Sequence, residues 1–154
     1  MPLTATLVAA LALTSASDDV WAQFSSQEAL SRLNTKVEIG TADATPGAPV
    51  YWIRRTIQKP GRKIQRSQID TRSCPRMFAL LRSLRDLPMP HPNMPSLDED
   101  QISVTADATS YSLKVSARYP GSIFGDLTVT AIDGSPLAAW VDDALATLDS
   151  CMPK

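Results

Sequence analysis

The sequence predicts an α+β domain with a mostly antiparallel sheet of about five strands and two or three helices, in the order α-β-β-α-β-β-β-α, closed by one disulfide. Three observations lead there. Strand-like segments come in neighbouring pairs joined by short turns, which suits hairpins and not βαβ crossovers. The apolar residues change from helical spacing to strict alternation and back along the chain. Cys74 and Cys151, the two cysteines, each sit on the apolar stripe of an expected helix.

The N-terminal run from Leu3 to Ala16 is small and apolar, carries no charge, and is followed by Asp18 and Asp19. A membrane-spanning helix needs about 20 apolar residues, whereas a secretory h-region needs only about 7 to 15. Residues 1–22 therefore read as a secretory signal, with small-residue cleavage points after Ala16 and after Ala22, the second preferred. Residues 23–154 are then a single domain, large enough to bury a core without a metal. Export to the periplasm or the medium implies an oxidising compartment, where Cys74 and Cys151 pair.

The elements follow in order. Ser25-Ser26-Gln27-Glu28 has the form of a capping box, and Leu30, Leu33 and Val37 continue at helical spacing, so a helix is expected over Ser26–Lys36. A β-branched and aromatic run over Pro49–Gln58, a turn at Lys59-Pro60-Gly61-Arg62 and a returning strand over Lys63–Asp70 predict a hairpin. With a two-residue loop, Ile57 would face Ile64, Trp52 would face Ile69 and Arg55 would face Arg66.

Ser73 is placed to cap a second helix with Pro75 in its first turn and Cys74, Met77, Phe78, Leu81 and Leu84 on one face. Prolines 88, 90, 92 and 95 make residues 88–96 an extended connector. Ile102 and Val104 suggest a short strand, and Tyr111, Leu113, Val115 and Ala117 alternate with polar residues in the clearest strand of the chain. A further strand over Asp126–Ile132 leads to a last helix, with Ser135 as cap, Pro136 behind it and Leu137, Val141, Ala144, Leu148 and Cys151 on one face.

Catalytic chemistry finds little support. The one histidine, His91, lies between Pro90 and Pro92, and no Gly-x-Ser-x-Gly elbow or phosphate-cradling glycine loop occurs. Asp98-Glu99-Asp100 and Asp142-Asp143 are acidic groups without the spacing of a calcium loop or a carboxylate pair on one helix face. No catalytic residue, metal site or cofactor is expected.

Charge is segregated instead. Between Arg54 and Asp86 stand ten basic residues, eight of them Arg, against Asp70 and Asp86 alone, while the rest of the chain holds five basic and fourteen acidic residues. The expected binding surface is a basic hairpin of Arg54, Arg55, Lys59, Arg62, Lys63 and Arg66 that meets an anionic envelope component or an acidic protein surface. No motif frames it for specific nucleic-acid binding, and no second apolar run is long enough to span a bilayer. The expected function is thus a non-enzymatic binding protein of the cell envelope. The alternatives are a small hydrolase or transferase acting on an anionic envelope substrate, or an inhibitor that presents the proline-rich connector to a secreted enzyme.

Overall fold

The computed structural model describes residues 19–91, 107–118, 121 and 124–152. Strands β1 (Val20–Gln27), β2 (Asn34–Asp43), β3 (Val50–Gln58), β4 (Gln65–Asp70), β5 (Ser110–Arg118) and β6 (Phe124–Ile132) form one antiparallel sheet in the spatial order β4-β3-β2-β1-β5-β6. Helix α1 (Pro75–Ser83) runs on into a 3-10 turn at Leu84–Asp86, and helix α2 (Pro136–Cys151) ends the described chain. This overturns the expected order and strand count: the described residues begin with a hairpin where a helix was expected, and among them six strands stand against the five expected. The suggested strand at Ile102 and Val104 lies outside the described residues, as do residues 1–18 and most of the proline-rich connector.

The segment expected as a helix over Ser26–Lys36 is the end of β1, a turn and the start of β2. Helical spacing would have buried Leu30, yet Leu30 is 82% exposed. What is buried is the alternating set Ala22, Phe24, Thr35, Val37 and Ile39, the inward face of two strands. Of the capping-box residues, Ser25, Ser26 and Gln27 are in β1 and Glu28 closes the turn, its carboxylate accepting from the Ser31 hydroxyl, while Arg32 takes a left-handed φ of 52°. The choice was made by tertiary burial, since a strand here is flanked by β3 and β5 and fills the middle of the sheet.

The β3–β4 hairpin forms one residue out of its expected register. Ile53 faces Ile69, Arg55 faces Ser67 and Arg66 faces Thr56, so Arg55 and Arg66 project from opposite faces. The cause is the turn, which occupies residues 59–64 in place of two residues.

Both helices cover one face of the sheet. Phe24, Val37, Ile39, Ile53 and Leu113 point up from the strands to meet Met77 and Leu81 of α1 and Leu137, Val141, Ala144 and Leu148 of α2. Trp140 packs edge-on to Phe24 at 5.2 Å, and its indole N–H reaches the Leu80 carbonyl and the Ser83 hydroxyl. That contact ties α2 to α1 through the core. The register shift between Val20 and Ala22 is a bulge, which turns Trp21 to the helix side against Tyr51.

The opposite face is polar, with ion pairs Lys36–Glu38 at 2.7 Å and Lys114–Asp126 at 2.8 Å. Its one large apolar residue near the centre is Trp52, whose indole lies on Gly40 so closely that a Cβ there would sit 2.1 Å from the ring. The glycine is required by that approach.

Helix α2 starts as expected, with the Ser135 hydroxyl accepting from the Ala138 amide at 3.0 Å. Helix α1 does not: Cys74 takes the cap position without a side-chain bond, and the amide and hydroxyl of Ser73 both donate to Asp70. That pair of donors holds the Asp70 carboxyl below the usual carboxylate range. Cys74, fully buried, joins Cys151 across 5.7 Å between Cα atoms and 77 residues of sequence, so the bridge pins α1 to α2.

Two outcomes follow for stability. Replacing both cysteines by alanine is expected to lower the unfolding free energy by about 4 kcal/mol, the loop-closure value for a span of this order, read by denaturant unfolding of oxidised wild type against the variant. Tyr111 is the second case. Burial first, then the negative charges of Asp142 and Asp133 to which its hydroxyl donates, push its pKa up to about 12. A phenol whose folded pKa is raised contributes stability that is full below its ordinary pKa and lost as pH climbs toward the folded one. Y111F is therefore expected to cost about 1 kcal/mol at neutral pH and to remove that part of the alkaline loss, followed by circular dichroism across pH.

Candidate functional site

The six basic residues singled out in the sequence do not form one patch. Arg55 lies on the helix-covered face, where its guanidinium donates to Asp149 near the end of α2. Its side chain is only 14% exposed, so it is a structural tie and not a surface cation. Arg54 projects from the polar face, with its guanidinium carbon 5.0 Å above the Trp52 ring and its Nε donating to the Gln68 side-chain Oε1 at 3.4 Å. Stacked in that way it stiffens the sheet surface.

Lys59, Arg62 and Lys63 stand together in the β3–β4 turn, and Arg66 follows them at the start of β4. All four are exposed. The turn borders an open depression of about 610 Å³ whose floor includes Leu33, Ile57 and Gln65. The β1–β2 turn lies alongside, because Asn34 at the start of β2 pairs with Gln58 at the end of β3. It adds Arg32, which the sequence reading missed by assigning that segment to a helix. Among the described residues, Arg32, Lys59, Arg62, Lys63 and Arg66 form no ion pair. Two large apolar side chains are exposed at the same end, Leu30 in one turn and Ile64, 51% exposed, in the other.

A second site lies at the other end of β3. Trp21, Tyr51, Phe78, Leu81, Leu84 and Val115 wall a cleft of about 390 Å³ between α1 and the sheet, with Arg82 and Arg85 at its edge. The Tyr51 and Phe78 rings stack at 6.1 Å, and Trp21 tilts against Tyr51 at 5.3 Å. The bulge in β1 is what brings Trp21 into the wall. Sequence reasoning had assigned Trp21 to the leader, so this cleft was not foreseen; the signal that would have found it is the inward pair Ala22 and Phe24 of the same strand. No carboxylate, histidine or cysteine is among the residues that line the cleft.

His91 is exposed at the end of the described stretch that follows α1. Among the described residues, no group of three histidines, cysteines or carboxylates is placed to hold a metal ion, and no helix is long and apolar enough to cross a membrane. The chain matches no protein-family model, no curated protein and no solved structure.

Proposed function

We propose that this chain is an exported, non-enzymatic binding protein of the periplasm or cell surface, which docks on an anionic envelope surface through the turns at one end of its sheet. The observation that carries the reading is the cluster of exposed cations without acidic partners, Arg32, Lys59, Arg62, Lys63 and Arg66, drawn together from two adjacent turns. Each such cation near an anionic bilayer is worth about 1 kcal/mol, and the sum falls off with salt.

Leu30 and Ile64 favour lipid over an acidic protein. They are exposed in the same two turns, where they would enter the headgroup layer while the cations meet phosphate. The disulfide between Cys74 and Cys151 supports an oxidising compartment. The position of Ala22 supports processing after Ala16: Ala22 is 2% exposed within β1 and pairs with both Ile39 and Val115, so a cut after it would remove the first part of a central strand.

Two measurements test this. Mass spectrometry of the exported protein is expected to find Ser17 as the first residue; Gln23 would count against the processing point, and retention of the whole leader inside the cell would refute export. Co-sedimentation with phosphatidylglycerol vesicles at low salt is expected to show binding that is absent with phosphatidylcholine. R62E/K63E/R66E should weaken it at least about tenfold, and R55M should leave it unchanged. Equal binding by the charge-reversed variant would refute the docking surface, and capture of an acidic envelope protein without vesicle binding would replace lipid as the partner.

A further inference from the structure

The cleft between α1 and the sheet has the makings of a second, separate site. Tyr51 lines the cleft and Ile57 borders the basic turn, which places the two at opposite ends of β3, about 20 Å apart at the rise of a strand. Its volume of about 390 Å³ lies at the small end of ligand pockets, enough for a single chain or ring system and too little for a two-chain lipid.

Two features bear on the occupant. The walls are aromatic and aliphatic, formed by Trp21, Tyr51, Phe78 and Leu84 among others. Arg82 and Arg85 at the edge are exposed and, among the described residues, their guanidinium groups form no ion pair or hydrogen bond. Apolar walls and two unneutralised guanidinium groups together ask for a ligand with an apolar body and an anionic oxygen head.

We infer that this cleft binds a single-chain amphiphile with a carboxylate head, of the fatty-acid class, its chain against Trp21, Tyr51 and Phe78 and its carboxylate at Arg82 and Arg85. A planar carboxylate matches the guanidinium fork, and two arginines one turn apart on the same edge can share it. The chain is held without any contact from the basic turns, so the site stands whether or not those turns dock on a membrane.

The test is isothermal titration of the whole oxidised protein with decanoate below its micelle concentration, with decyltrimethylammonium as the cationic counterpart and acetate as the head alone. Saturable one-to-one binding of decanoate is expected, with decyltrimethylammonium and acetate each at least about tenfold weaker. R82Q/R85Q changes only exposed side chains and should keep the wild-type unfolding midpoint while weakening decanoate about tenfold or more. F78A should weaken decanoate as well, whereas R62E/K63E/R66E should bind it as wild type does. Absence of saturation, equal affinity for the cationic probe, or unchanged binding by R82Q/R85Q would overturn the inference. Loss of decanoate binding in R62E/K63E/R66E alone would move the anion site to the turns and overturn it too.

Discussion

Burial of one face of the sheet under two helices is the constraint on which the rest of this structure depends. Phe24, Val37, Ile39, Ile53 and Leu113 are inaccessible to water, or nearly so, because α1 and α2 lie over them, and the helices stay there because their own stripes need the same surface. The Cys74–Cys151 bridge and the Trp140 indole, bonded to Leu80 and Ser83, join the two helices to each other at separate points. Either link alone would leave α1, with nine residues, a short element on a large sheet.

That one-sided arrangement also sorts the charges. A strand residue on the covered face must find a partner or give up its charge to the interior, and Arg55 does the former with Asp149. Residues on the polar face settle into short-range pairs, Lys36 with Glu38 and Lys114 with Asp126. Among the described residues, the two turns and the start of β4 keep cations without acids. The arginines of the α1 edge stay unpaired as well, since they stand at the rim of a cleft whose wall residues include no acid. The two candidate sites are thus what remains after the sheet has satisfied itself.

The proposed roles draw on different physics. A docking end built from turns relies on long-range attraction and two exposed apolar side chains, and tolerates imprecise geometry. The cleft relies on shape, with ring faces held by the Tyr51–Phe78 stack and by the bulge that presents Trp21. A polypeptide of this size can carry both because they share no residue and lie at opposite ends of β3.

Much of this was legible in the sequence by itself. The capped and Pro-started helix α2, the alternating strand β5, the pairing of Cys74 with Cys151 and the segregation of charge are all written in local spacing or simple counts. The helix and the strand are each decided within one element, where a residue's neighbours along the chain are also its neighbours in space, while the disulfide follows from there being two cysteines and the charge segregation from a count along the chain. The tertiary structure decided the rest. Residues 26–36 carry a helix signal in their own spacing, yet flanking strands at β3 and β5 bury Thr35, Val37 and Ile39 only if the segment is extended. The face on which Arg55 and Arg66 project depends on a one-residue register set by the length of a turn, and the cleft exists only where a bulge in β1, the start of β3 and one edge of α1 converge. Those outcomes depend on residues far apart in sequence, and no local pattern encodes which distant strand a given face will meet.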